Sequence, residues 1–530
     1  MVVDEVSVTH VVVLLLVAAV VIEWIWGLWR RTRYDLHKIP GPTSLPLFGH
    51  VHLLPLLLPV WGKLRITAKM HEWALKYGKL YKLNMLVDDV VVIHDPKFIE
   101  KHVLAGGKTD IPKVSTYDSF NKMMSPYNMH SLFTSPKADA KYKSFRKTMA
   151  CAFSSEALKR GFPQLLEKSK QVGSKIATLA KDGTPFDMQD LGVRFSLDCI
   201  GHFAYGLNFN SVGKTTHPLL EALEFTCEDS FADHLNPFRE PFKKIMSFTP
   251  SGKKIKGMYN ILYHEYDKIM QAIDFEDAPA GEDDRSIRAQ LMRLRNPLEN
   301  DRKASWEEIY AEMATFIFAG TDTTGHQVAW ALMCLATHPE VQERVFEELV
   351  ENGLAGKGCR DPEFADLNRL SYLNNVVKES LRRIPVAPSC GPRRLEEDMD
   401  VLGYRVPKGT ILVCQAHTLN TCPWSWENGE DFDPERWATK GERDFPEEVK
   451  LNNPSQKTWT FGFGVRNCVG QRLAMLELQL LLAVLLAKFR FTLESSMGGW
   501  DGALKRGFNS LVFTCEGGMW MKATPRFEKT

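Results

Sequence analysis

The residues with the most chemistry in them lie in Thr458 to Met475, "TWTFGFGVRNCVGQRLAM". One cysteine, Cys468, stands among three glycines, two phenylalanines and an arginine, directly ahead of a strongly apolar run. Gly462, Gly464 and Gly470 let the backbone turn tightly and come down on a flat object without interference from a Cβ. The run from Gln471 is predicted as a helix, whose N-terminal N–H groups and dipole favour a thiolate over a thiol. Arg466 offers a two-pronged donor to a carboxylate at the edge of the same object. A thiolate held in a glycine loop meets the requirements of an axial ligand to haem iron. A lone buried cysteine at a helix start is the plainer alternative, and the surrounding pattern is what weighs against it.

The pattern Phe461-Gly462-x-Gly464-x-Arg466-x-Cys468-x-Gly470 resembles the cysteine-ligand signature of the cytochrome P-450 family at every fixed position. Further stretches resemble the same family in order, so the likeness covers essentially the whole chain. It implies a haem b cofactor with Cys468 as axial thiolate, Arg466 on a propionate and Phe461 packed beside the sulfur. "FAGTDTTGHQVAW" (Phe318 to Trp330) resembles the oxygen-binding segment. There Ala319 and Gly320 are small enough to leave room above a flat cofactor, and Asp322 with Thr323 supplies an acid and a hydroxyl to pass protons to dioxygen as it is reduced. The Thr323 hydroxyl is expected to bond back to a carbonyl of the preceding turn. Glu379 and Arg382 of "KESLRR", one helical face apart by three residues, join Arg436 of "FDPERW" in a buried structural network. Arg146 takes a propionate position in a helix where Tyr142 replaces the family's usual tryptophan. Arg393, with Arg394 beside it, takes another.

These groups need elements to hold them. Helical periodicity predicts helices over Lys137–Ala150, Pro163–Leu179, Asp190–Phe203, Ser305–Thr337, Pro339–Leu349, Leu373–Arg383 and Gln471–Leu486. Alternating β-formers predict a hairpin over Gly78–Asp95. A second β region spans Val401–Gln415, turning at Pro407–Gly409, and a C-terminal hairpin closes at Gly517-Gly518. The expected fold is mainly α with small β-sheets, the cytochrome P-450 fold, preceded by an N-terminal transmembrane helix. Length alone, 530 residues, suggests about three or four domains, but the resemblance implies one catalytic domain over 51–530. Residues 1–37 are predicted as a membrane anchor with a basic flank, and 38–50 as a proline-rich linker. The charged stretch Glu276–Ser286 is expected to be a surface loop.

The anchor rests on Val11–Trp29, an apolar run long enough to cross a bilayer. It carries Trp24, Trp26 and Trp29 at its end, followed by "RRTR", the order of a retained, positive-inside span. The expected location is the endoplasmic reticulum membrane, single-pass, with a cytosolic catalytic domain. A net charge of +1 gives no basis for a nucleic-acid partner. Ten cysteines without a Cys-x-x-Cys pair exclude zinc-ribbon and thioredoxin-type sites, and the default is reduced thiols.

The implied activity is insertion of one oxygen atom from O2 into a lipophilic substrate: a sterol, a fatty acid or another lipid. Electrons come from an NADPH-dependent flavoprotein reductase, with cytochrome b5 as a further donor. Lys141, Lys143, Lys147 and Arg472 would form a basic docking face. The pocket is read as Tyr117, Phe120 and Met123 from an aromatic and methionine-rich lid, Phe225 from a second wall, and Val386 and Val512 closing it. The alternatives are a haem-thiolate isomerase or dehydratase acting on lipid peroxides without a reductase, and a non-catalytic haem sensor. Both leave the Asp322–Thr323 pair without a task.

Overall fold

The computed structural model describes residues 33–44, 65–85, 88–104, 111–236, 239–273, 284–296, 302–438 and 458–527, together with residues 18, 21 and 25. The expected membrane span at Val11–Trp29, apart from those three residues, lies outside the described residues, as do 45–50 of the expected linker and 276–283 of the expected surface loop. Among the described residues no helix is long and apolar enough to cross a membrane.

After a 3-10 turn at Asp35–Lys38, the catalytic body's described elements include α1 (Ile66–Tyr77) and the hairpin β1 (Leu80–Met85) and β2 (Asp88–Ile93). A helical stretch follows: α2 (Ala140–Ala150), α3 (Ser155–Lys181), the short β3 (Phe186–Asp187), α4 (Met188–Tyr205), α5 (Pro218–Leu235), α6 (Arg239–Ile245), α7 (Pro250–Ile273) and α8 (Ile287–Arg295). Next come α9 (Trp306–Thr337), α10 (Pro339–Glu351) and α11 (Ser371–Arg383). Beyond them lie β4 (Arg393–Arg394), β5 (Met399–Val401), β6 (Tyr404–Val406), β7 (Ile411–Val413) and α12 (Ala416–Thr421). The end of the chain supplies α13 (Gln471–Leu486), β8 (Phe489–Leu493), α14 (Gly499–Lys505), β9 (Gly507–Ser510), β10 (Val512–Cys515) and β11 (Trp520–Pro525). Every helix predicted from periodicity forms. α1, α5, α6, α7, α8, α12 and α14 were not anticipated.

The frame is α9. It starts with a reciprocal cap, the Ser305 side chain accepting from the Glu308 N–H while Glu308 accepts from the Ser305 N–H. At 32 residues it runs about 48 Å, and 24 of them are buried. A helix apolar on all sides belongs in a core. It packs along α4 with the backbones almost touching: a Cβ on Gly325 would fall 2.5 Å from Val193 Cα, and one on Gly192 would fall 2.3 Å from the Gly325 carbonyl. α13 is buried from Leu476 to Leu486 except at Gln479 and packs against α3 and α9, which fixes the loop carrying Cys468, three residues ahead of it.

The sheets cover one side. One has the order β1-β2-β7-β4, with β2 and β7 parallel and the other pairs antiparallel. Its inner strand β2 buries Val91, Val92 and Ile93, as a strand flanked on both edges should. Two expected turns differ. The β5–β6 hairpin turns at Leu402-Gly403, both at positive φ, and Pro407–Gly409 instead carries the chain from that hairpin to the large sheet. At the C-terminus, β9 pairs with β10 across Leu511. Gly517-Gly518 does turn, but β11 beyond it pairs with β3 and β8 in a separate sheet. Alternation of residues marks strands, but it does not name their partners.

Residues 34–41, read as flank and linker, lie on the catalytic body. Leu36 and Ile39 are buried in the sheet-side core. The Lys82 N–H donates to the Pro40 carbonyl at 2.9 Å, and a Cβ on Gly41 would meet the Lys82 carbonyl at 2.4 Å. The body therefore starts before residue 51.

Candidate cofactor and oxygen site

The cysteine loop is shaped by its glycines. Gly462 and Gly464 take φ of 66° and 64°, a region that costs any residue with a Cβ. The Cys468 N–H donates back to the Phe461 carbonyl at 2.7 Å, closing the loop so that the sulfur stands at the start of α13. Phe461 packs against the main core. The N–H groups of Gly470 and Gln471 reach the sulfur, and the charge of Arg146 acts on it as well. As expected, these groups act to favour the thiolate, but burial opposes them and pushes the Cys468 thiol up. Cys468 is nonetheless accessible, although it is surrounded by protein. The sulfur therefore borders an internal space.

Guanidinium groups converge on that space. Arg146 donates to the Asn467 side chain, next to the cysteine. Arg466 donates to the Ser135 carbonyl at 3.0 Å, and its guanidinium lies 4.7 Å over the Tyr142 ring. The Tyr142 hydroxyl, expected to be available to a carboxylate, is taken by the Val465 carbonyl at 3.2 Å. Arg393 is 2% exposed, while Arg394 reaches out to Asp88 at 2.8 Å and to the Gly409 carbonyl. The inward arginine is therefore 393. Burial pushes the Tyr117 hydroxyl up to about 12, and both Arg393 and Arg466 act against it, which sets the two guanidinium groups around one tyrosine.

On α9, the Thr323 hydroxyl donates to the Ala319 carbonyl at 2.7 Å, as expected. Burial pushes the Asp322 carboxyl up, with His326 opposing. His326 approaches the Asp322 carbonyl at 2.6 Å and the carboxylate at 3.3 Å, both through Nδ1, while the carboxylate's other oxygen is buried without a partner. The room read into Gly320 is not where its missing side chain would go: a Cβ there would fall 2.6 Å from Ile200 Cγ1. Gly320 serves the packing of α9 on α4. Sequence reading missed His326, four residues from Asp322 and so on its helical face. It also missed Glu477 of α13, which burial pushes up to about 8 and which Thr324 hydrogen-bonds.

The charge network forms with all three expected members. Glu379 and Arg382 are both 0% exposed and meet through two bonds of 2.9 and 2.7 Å. Arg436 Nε reaches Glu379 at 3.3 Å. The Trp437 indole and the Asp433 N–H, each at 2.9 Å, complete the carboxylate's partners. Arg382 also donates to the carbonyls of Asn420, Gly429 and Asp431. The link to the cysteine loop runs through Asn420, which accepts from the Trp459 N–H at 2.8 Å and donates to Thr460 at 3.1 Å. Thr460 in turn donates to the Leu381 carbonyl at 2.7 Å.

The expected pocket residues separate into two groups. Tyr117 and Phe120 stack in a cluster with Phe133, Phe231 and His234, and Phe133 extends it to Phe318 of α9. Met123 is fully buried nearby in the main core. The Val386 carbonyl accepts from the Phe513 N–H at 2.7 Å, so the segments around 386 and 512 do meet. Val512 itself is strand core, and its neighbour Leu511 faces the aromatic cluster. Phe225 departs from the expectation: its ring lies under Lys254 of α7, 5.4 Å from the ammonium. On the opposite side Lys143, Lys147 and Arg472 are exposed, whereas Lys141 is drawn to the buried Glu308 at 2.5 Å.

The residues fit a haem with a cysteine ligand. They provide an accessible but enclosed sulfur, a glycine cradle and three arginines suited to carboxylates. A family model described as Cytochrome P450 matches residues 39–505. The chain is 28% identical over 486 residues to cytochrome P450 3A29 of Sus scrofa, covering 90% of each chain. It is 27% identical over 499 residues to cytochrome P450 3A28 of Bos taurus, covering 90% of this chain and 89% of the relative. Against cytochrome P450 3A5 of Homo sapiens it is 27% identical over 489 residues, with 90% of each covered.

Proposed function

Because the chain belongs to the cytochrome P450 family, and is therefore a haem-thiolate monooxygenase served by a redox partner, we propose that Cys468 is the axial ligand and that the substrate is a lipophilic molecule such as a sterol or fatty acid. The observation that carries the assignment is the sulfur of Cys468, enclosed yet accessible, with the N–H groups of Gly470 and Gln471 and the charge of Arg146 directed at it. Haem bound there supplies dioxygen activation and transfer of one oxygen atom to a C–H bond.

The other roles belong to the chain. Bonded to the haem iron, Cys468 would be held as a thiolate, with the N–H groups of Gly470 and Gln471 steadying its charge. Arg146, Arg393 and Arg466 bind the propionates through charge-assisted hydrogen bonds. Burial raises the pKa of Asp322 and so favours its proton-bearing form, and Thr323 passes a proton on from a hydroxyl anchored to Ala319. His326 orients Asp322. The Tyr117–Phe120–Phe133–Phe231 cluster offers an apolar wall for a lipid. Lys143, Lys147 and Arg472 would meet an acidic surface on an NADPH-dependent flavoprotein reductase or cytochrome b5. The apolar run at Val11–Trp29 would hold the protein on the endoplasmic reticulum membrane, within reach of substrates dissolved in it.

The test is turnover of a sterol and fatty-acid panel by the purified full-length protein under labelled dioxygen, with and without reductase and NADPH. Product bearing one labelled oxygen only in the complete mixture is expected, whereas rearrangement of lipid peroxides without reductase overturns the reading. Cys468→Ala should abolish the absorption band that a thiolate ligand gives the reduced, carbon monoxide-treated protein, and retention of that band would remove Cys468 as ligand.

A further inference from the structure

Two cysteines outside the haem site stand directly opposite each other. Cys390 lies between α11 and β4, and Cys414 follows β7. Ser389 and Gln415 form an antiparallel bridge, and one step in, the Cys390 N–H donates to the Cys414 carbonyl at 3.0 Å. Directly opposed residues in antiparallel strands have Cα atoms about 4.5–5.5 Å apart, inside the span of about 4.4–6.8 Å that a disulfide bridges, and their side chains share a face. The two side chains are thus set against each other from opposed backbone positions, and each thiol acts on the other's titration.

The pair is also divided in character. The neighbouring Cys414 thiol holds Cys390 below its ordinary range, with Arg393 assisting against burial, while Cys414 is pushed up. Burial likewise pushes up Cys199, Cys227, Cys334, Cys422 and Cys515. Cys390 keeps partial exposure, and Cys414 is buried. A nucleophilic thiol with a resolving thiol beside it is the arrangement that reacts reversibly with peroxide.

We infer that Cys390 and Cys414 are a peroxide-sensitive dithiol that closes to a cross-strand disulfide. The Cys390 thiolate attacks hydrogen peroxide; an S–O bond forms, the O–O bond breaks and hydroxide leaves, giving a sulfenic acid. The Cys414 sulfur, losing its proton, then attacks Cys390 Sγ; the S–S bond forms, the S–O bond breaks and water leaves. In sum two thiols are oxidised by two electrons and one peroxide is reduced to two waters. The bridge ties the segment carrying Val386 to β7, beside Arg393 and Tyr117, which both thiols influence.

The experiment treats the full-length haem-loaded protein with hydrogen peroxide, quenches in acid, blocks free thiols with N-ethylmaleimide and digests with trypsin. Most of the peptide 384–393 should then be linked to 409–436 at Cys390 and Cys414, two hydrogens lighter than the sum, and dithiothreitol should release it. Cys414→Ser should leave Cys390 as a sulfenic acid that dimedone captures. The inference fails if both thiols of the wild type are alkylated while the exposed Cys359 is oxidised, or if the linkage runs to Cys422 instead. The wild-type result stands without any variant, so a variant that fails to fold does not shield it.

Discussion

Asp322 sets a carboxyl whose pKa burial raises beside an imidazole one helical turn away. Its pKa is raised, so the proton persists to higher pH than on an ordinary carboxylate and is lost as pH climbs through the raised value. A reaction that draws on this proton should show turnover falling on that alkaline limb. Asp322→Asn keeps the shape and removes the acid. It should lower turnover by about 10²-fold and flatten the limb in a pH–rate profile, with the thiolate-dependent spectrum unchanged. A wild-type profile that persists in the variant would take Asp322 out of proton delivery. Asp322 and Thr323 were legible because one short segment carries both. His326 was legible by spacing alone, and only the distance to Nδ1 gives it a purpose.

Among the elements, α11, α12 and the Asp431–Trp437 segment meet at the charge network, and α9 and α4 meet at glycines. Arg382 is wholly buried, so Glu379→Ala leaves a guanidinium without its carboxylate, at a cost of about 3–5 kcal/mol. The expected result is protein with little or no haem and a lower denaturation midpoint, read from haem content and a urea titration. Haem at the wild-type level would separate the network from the cysteine loop, against the Asn420 and Thr460 bonds that join them. Gly320→Ala should destabilise by about 1–3 kcal/mol through the contact with Ile200. In a double-mutant cycle with Ile200→Ala, the two losses should fall short of additive by at least about 0.5 kcal/mol. Strict additivity would return Gly320 to the reading of space for dioxygen. Glu379 and Arg382 could be paired from sequence because three residues is a helical step, but the partner of Gly320 sits on another helix, about 120 positions earlier.

At the scale of the molecule, the apolar N-terminal run and the body are separable in chemistry. A chain lacking residues 1–37 should show the same carbon monoxide spectrum as the full protein and pass to the soluble fraction, while the full chain stays with membranes through alkaline carbonate washing. Release of both would exclude the anchor. Leu36 belongs to the body's own core, so the cut also tests that boundary: a truncated chain that takes up haem but melts lower would show how much this first turn adds.

The sequence alone determined the candidate ligand cysteine with its glycines and arginines, the neighbouring Asp322 and Thr323, the charge triad and the principal helices. Each depends on residues a few positions apart, where helical period and turn geometry dictate the neighbours. The tertiary structure decided which of Arg393 and Arg394 points inward, what fills the place beside Gly320, that Phe225 turns to α7, which strands pair at the C-terminus, and that Cys390 meets Cys414. Those contacts join segments far apart in the chain. No local pattern encodes them, because they arise only when separate apolar faces are buried against one another.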